Sequence, residues 1–221
     1  MDTAIDARWS GVVKAARSLG VALGLVLALV PTACGDDSSS TTTTVEREMT
    51  GYTHEPTPSV SELQIPVVGM AEPVAVTADP GELRVVYFGY TSCPDVCPTT
   101  MSDVKRALAQ LPAEQADRVG VVMVTVDPDR DVDDKLAAYV ATFIPDGAAS
   151  RITDPAQLQS VAGAFGARYS VETADDGEVE VSHTGDLYVV DDRGYIVLQW
   201  PFGTASDDLA ADLAAMLADQ Q

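Results

Sequence analysis

Apolar positions are sparse in the first 80 residues, apart from one continuous run from Val21 to Val30, and become regular from residue 83 onward. Leu83-Arg84-Val85-Val86-Tyr87-Phe88 and Val119 to Val126 are nearly unbroken apolar blocks rich in β-branched residues, which predicts buried strands. Between them Met101, Val104, Leu108 and Leu111 recur at helical spacing, and Pro98 suits the first helical position. A second helix fits Leu136, Tyr139, Val140 and Phe143, and Ser150-Arg151-Ile152 reads as a short strand after it. Asp154 as a cap and Pro155 behind it open a third helix through Leu158, Val161, Ala162 and Phe165. Val179-Glu180-Val181 then follows the turn signal Asp176-Gly177. Leu187–Val190 and Tyr195–Trp200 flank Asp191-Asp192-Arg193-Gly194 as a hairpin. A last helix takes Ser206 as its cap and Asp207 and Asp208 in its first turn, with Leu209, Leu213, Met216 and Leu217 on one face. Strand–helix–strand units followed by a hairpin and a helix predict an α/β three-layer sandwich around a mixed sheet, within residues 59–221.

The sparse region divides in three. Arg8, Lys14 and Arg17 precede the run Val21–Val30, and Pro31-Thr32-Ala33-Cys34-Gly35 follows it. A basic flank, a short apolar run and a small residue before a cut make a secretory signal peptide, residues 1–33. The run falls well short of the ~20 residues of a spanning helix. Ending on Cys34, it resembles a bacterial lipoprotein signal, with Cys34 as the lipidated first residue of the mature chain; Pro31 stands where an aliphatic residue is usual. The expected location is the extracytoplasmic face of the cell membrane, held by that lipid. Residues 34–58 are expected to be a tether, because the polar, low-complexity stretch from Gly35 cannot bury enough apolar surface to order itself. Several prolines make residues 51–80 loop-like, with a short hairpin.

Composition narrows the partners. With 13 basic and 34 acidic residues among 221, the formal charge is −21, which argues against nucleic acid as a ligand and disfavours an anionic membrane surface. There are three cysteines; if Cys34 carries lipid, Cys93 and Cys97 remain as a pair in a compartment where thiols can be oxidised.

By itself the C-x-x-x-C spacing in "GYTSCPDVCPTT" leaves a structural disulfide, a redox pair and a metal site all open. The topology adds more. Both cysteines follow the carboxyl end of a strand and precede its crossover helix, and in open α/β sheets sites gather at that edge. Asp127, Asp129 and Asp131 follow the next strand and are expected at the same edge, as contacts for a partner rather than ligands of a soft metal. His183 precedes the strand Leu187–Val190, and if that strand is antiparallel its start also lies there. Pro98 disfavours a helical conformation at Cys97, so the cysteines are expected in a turn before the helix, where free amides favour thiolate. Thiolates suit Cu(I), and imidazole binds copper in either oxidation state. His54, in the proline-rich region, reads as an ordinary polar residue; Met101, Met123 and Met216 fit core positions and Met70 a loop, none with ligand spacing.

The stretch "FGYTSCPDVCP", residues 88–98, matches at every specified position the pattern Phe-Gly-Tyr-Thr-x-Cys-Pro-Asp-x-Cys-Pro of the SCO/SenC family of copper-handling, thioredoxin-like proteins. Val126 to Asp131 resembles that family's Val-Asp-Pro-Glu-Arg-Asp, with Asp129 in place of Glu, and "SHTGDLYVVDDRG" resembles its histidine segment. The resemblance covers about residues 60–220. It implies a thioredoxin-like fold and a membrane-tethered metallochaperone, not a turnover enzyme, that binds one copper through Cys93, Cys97 and His183. It further implies, as partners, an unidentified copper donor and the copper-receiving subunit of cytochrome c oxidase, whose dinuclear copper centre the protein helps to build. Family members also act as thiol–disulfide reductants, so a redox pair Cys93/Cys97 acting on an exported target is the alternative. Against it, the chain has no C-x-x-C and no proline directly before the Leu187 strand, where reductases of this fold usually carry one.

Overall fold

The structure is a computed structural model that describes residues 48–219. The expected signal peptide, Cys34 and most of the expected tether lie outside the described residues. In chain order the elements are β1 (Gln64–Ile65), β2 (Val74–Ala75), β3 (Leu83–Gly89), α1 (Val96–Gln110), α2 (Ala113–Ala116), β4 (Val119–Thr125), α3 (Asp133–Phe143), β5 (Ala148–Ser150), α4 (Pro155–Ala164), β6 (Tyr169–Thr173), β7 (Val179–His183), β8 (Leu187–Val190), β9 (Ile196–Trp200) and α5 (Ser206–Ala218). Five strands form one mixed sheet in the order β5-β4-β3-β8-β9, with β3, β4 and β5 parallel and β8 and β9 antiparallel to their neighbours.

β3 is the centre of this sheet, and all seven of its residues are buried. A strand covered on both faces has no polar side, which is why its sequence reads as an unbroken apolar block rather than an alternation. Tyr87 lies on one face against Cys97 and Thr100 of α1. Phe88 points to the other, where its ring meets those of Phe165, just past α4, and Tyr188 edge-on at 5.4 and 6.1 Å. Helices therefore cover both faces, the three-layer arrangement of thioredoxin-like proteins. The register fixes the edge that matters: Gly89 pairs with Thr125 at the ends of β3 and β4, and Tyr87 pairs with Leu187 at the start of β8.

Besides the short α2, the structure departs from the sequence expectations in five places. α1 begins at Val96, two residues ahead of Pro98, so Cys97 is helical. β5 lies at Ala148–Ser150, ahead of the expected Ser150–Ile152. β6 was not anticipated; it pairs with β7 in a separate two-stranded sheet. Ala205, not Ser206, caps α5, without a side-chain capping hydrogen bond. The fifth concerns residues 50–58, read from sequence as tether, which are part of the fold. The amides of Thr50 and Gly51 donate to the buried Asp212 carboxylate at 3.0 and 3.1 Å, which also accepts from the Trp200 indole at 2.9 Å. Tyr52 pairs with Gln199 through both its N–H and its carbonyl, and the amide of Ile196 donates to Pro58. A β-carbon on Gly51 would lie 2.7 Å from Leu198, so only glycine lets the segment lie this close to β9. By contrast, Asp154 caps α4 as expected, accepting the Gln157 amide at 2.7 Å ahead of Pro155.

Candidate metal centre

Beyond Gly89 the chain turns through residues 90–95 into α1, with Cys93 in the turn and Cys97 as the second residue of the helix. Amides in a helix's first turn have no acceptor within the helix. The Cys97 amide uses that freedom to donate to Cys93 Sγ at 3.3 Å. Proline at the third position costs nothing for the same reason, since no hydrogen bond is asked of it there. The expectation that Pro98 would hold Cys97 outside the helix is thus corrected: the sparing of first-turn amides outweighs the preference of the residue before proline.

His183 is the last residue of β7 and reaches the same edge from the other side. Its Nδ1 lies 2.9 Å from the Thr184 carbonyl, which can only accept, so Nδ1 carries the proton and Nε2 keeps its lone pair. That Nε2 is 3.4 Å from Cys97 Sγ. The Tyr87 and Tyr90 rings meet the imidazole edge-on at 6.1 and 5.7 Å and fix its tilt. The donor atoms of Cys93, Cys97 and His183 all lie within 4.8 Å of one another, a grouping able to hold a metal ion.

The electrostatics of the three differ. Burial pushes the Cys97 thiol up to about 12, only partly opposed by the Tyr87 hydroxyl and the Tyr90 backbone. Burial also acts to raise Cys93, but the amides of Cys97 and Asp95 and the Cys97 and Tyr90 side chains donate toward its sulfur and bring it below the ordinary thiol value. Burial lowers His183, against the raising effect of the Thr184 and Phe88 carbonyls, so the ring is neutral near pH 7, the form that ligates. Two sulfurs and one neutral imidazole make a soft donor set suited to Cu(I). Cys93 and His183 open onto a cleft of about 430 Å³ that Tyr90, Pro94, Val96 and Phe202 help to line.

Of the acidic loop, Asp129 alone is exposed. Asp127 and Asp131 turn inward, at 2% and 0% exposure, so the expected three-carboxylate contact surface is corrected. Asp127 pairs with Arg130. Asp131 accepts from the Thr91 amide at 2.9 Å, the Thr125 hydroxyl at 2.7 Å and the Thr91 hydroxyl, with Lys135 at 3.3 Å. It therefore fastens the cysteine turn to the end of β4. Its burial follows from the short hydroxyl residues it must satisfy, a signal present in Thr91 and Thr125 but unreadable without their proximity. Gly89 was also missed. A β-carbon there would lie 3.1 Å from Cys97 Sγ and 2.6 Å from Tyr87, so its absence makes room for the thiol. A glycine ending a buried strand is the sequence mark of such close approach. His54 hydrogen-bonds Gln199 at 2.6 Å and is not in the cluster, while Met101 and Met123 are core residues.

A family model described as SCO1/SenC matches residues 70–218. Among solved structures, apo Sco1 from Thermus thermophilus shares 31% identity over 78% of this chain and 99% of its own, with a TM-score of 0.67. The copper-bound ScoI of Bradyrhizobium japonicum shares 27% identity over 71% of this chain and 96% of its own, with a TM-score of 0.58. A SCO2-like protein of Rickettsia prowazekii is 32% identical over 116 residues, 52% of this chain and 56% of its own. The chain thus spans little more than half the length of that curated relative. With the match running from β2 through α5 and enclosing both cysteines and His183, the chain belongs to the SCO1/SenC family.

Proposed function

We propose that the protein is an extracytoplasmic copper carrier. In this reading Cys93, Cys97 and His183 hold a single copper ion as cargo, and the protein passes it to the dinuclear copper centre of cytochrome c oxidase. The observation that carries the reading is the convergence of two thiols and a neutral imidazole within 4.8 Å, in a fold shared with a copper-bound ScoI. Copper supplies no chemistry of the protein's own here; it is bound and released. The chain's part is to present Nε2 and two sulfurs at an open cleft and to keep the imidazole unprotonated. Copper titration of the reduced protein, with cysteine-to-serine variants beside it, tests this. One ion per chain is expected, with tight binding lost in either variant; full-affinity binding without the cysteines contradicts it.

The anchor is part of the proposal and rests on the sequence ending its apolar run at Cys34. Cys34→Ala is expected to move the protein from the detergent phase to the aqueous phase, since several acyl chains on one cysteine hold firmly where none do not. A native protein with an unmodified N-terminus elsewhere contradicts it. A second reading, a thiol–disulfide reductant, is favoured by the asymmetry of the thiols. Cys93 is accessible with a lowered pKa, the profile of an attacking thiol, and the buried Cys97 lies beside it to resolve the mixed disulfide. A redox titration on the sample used for copper separates the two.

A further inference from the structure

An uncovered surface begins at His183 that holding a metal does not require. β6 and β7 belong to neither edge of the central sheet. Tyr169, Val171 and Thr173 pair with His183, Val181 and Val179, and alternate residues share a face, so the face that carries His183 also carries Val181 and Val171 and no acid. Val171 is 42% exposed. Val181 lines the cleft above Cys93, and so does Phe202, itself 48% exposed. Apolar side chains thus flank the thiol and the imidazole on one side.

The other hairpin face is acidic. Glu172 and Glu180 stand directly opposite one another, and the turn adds Asp175, Asp176 and Glu178. All five are exposed, and no lysine or arginine occurs between residues 169 and 183. Arg168 stands at the hairpin's root beside His183, and Asp95 borders the cleft. Like charges opposite each other weaken a strand pair, and a lone two-stranded ribbon has little stability to spare. The arrangement does nothing for the isolated domain, but it complements a cationic partner wherever an apolar contact must form beside the site.

We propose that the β6–β7 hairpin is a docking arm for a partner protein that presents a cysteine-bearing loop with an apolar tip and lysine or arginine flanks. The tip seats on Val171, Val181 and Phe202 over Cys93 and His183, and the flanks reach the turn acids Asp175 and Glu178 at the hairpin's end. This rests on the copper-transfer reading for its purpose, though not for its measurement. The probes are two fluorescent peptides with one shared apolar, cysteine-containing centre, flanked by lysines in one and glutamates in the other. Their binding to the reduced, metal-free full chain is followed by anisotropy. The lysine peptide is expected to bind roughly tenfold more tightly at low salt, with the gap closing as salt rises. Asp175→Asn with Glu178→Gln should remove most of that gap without lowering the melting temperature. Glu114→Gln with Asp146→Asn, the same charge change at the opposite edge of the sheet, should keep it. Val171→Ser should weaken both peptides alike. Equal affinity for the two peptides, or a gap that both double variants reduce equally, overturns the proposal. Copper uptake is read separately by absorption. Its failure sinks the copper reading and leaves the peptide ranking legible, whereas normal uptake without a ranking sinks the docking arm alone.

Discussion

Cys93 and Cys97 lie four residues apart and yet differ sharply as acids. The difference comes from backbone amides: Cys93 accepts two at a helix start, whereas Cys97 is enclosed in the core and is pushed up to about 12. At pH 7 Cys93 is thus more thiolate than a free thiol, and Cys97 is protonated until something displaces its proton. Alkylation of the reduced, metal-free protein is expected to label Cys93 first, at a rate that rises with pH and levels off below the plateau pH of a free thiol. Cys97 should stay unlabelled in the native state at neutral pH. Peptide mapping by mass spectrometry reads the order, and labelling of Cys97 first contradicts the assignment. Gly89 gives a second test at this scale. Gly89→Ala places a methyl 2.6 Å from Tyr87 and 3.1 Å from Cys97 Sγ. Overpacking of this kind costs about 1–3 kcal/mol. Chemical denaturation should show that loss together with weakened copper uptake; a variant with unchanged stability and uptake would mean that the space is not tight.

At the level of elements, the site is a meeting of three strand ends, and the residues that hold them together are not its ligands. Asp131 ties the turn after β3 to the end of β4, and it does so as a buried carboxylate with several donors. Asp131→Ala is expected to cost about 3 kcal/mol, because it strands those donors, whereas Asp129→Ala on the exposed side should lie near wild type. Denaturation midpoints of the two variants check this, and equal effects would contradict the structural role. The same elements show what was legible in the sequence. β3, β4 and the β8–β9 hairpin could be read because buried strands leave unbroken apolar blocks and tight turns leave Asp and Gly. The α4 start could be read because Asp154 and Pro155 act locally. β6 could not: Tyr169-Ser-Val-Glu-Thr173 is short and largely exposed, so no burial pattern marks it. The start of α1 was misplaced because a local rule about Pro98 met a stronger one about unpaired first-turn amides. The convergence of Cys93, Cys97 and His183 was legible through motif resemblance and strand order, but the inward turn of Asp127 and Asp131 depends on Arg130, Thr91 and Thr125 being near, which spacing alone does not show.

Across the whole molecule, a sheet with mixed strand directions brings residues from 93 to 183 to one edge, and a chain of net charge −21 surrounds them. The N-terminal segment is bound along β9 from Thr50 onward, so the folded unit begins well before the family match at residue 70. Among the described residues no helix is long and apolar enough to cross a membrane. The central claim is that this edge is a copper site made of two thiolates and one imidazole. X-ray absorption on the copper-loaded protein tests it most directly. The expected spectrum shows a shell of two sulfurs and one nitrogen, losing sulfur in Cys93→Ser and Cys97→Ser and losing the nitrogen in His183→Ala, with Cu(I) still partly held by the thiolates. A shell of nitrogen and oxygen only, or a spectrum unchanged by loss of both cysteines, would contradict the claim.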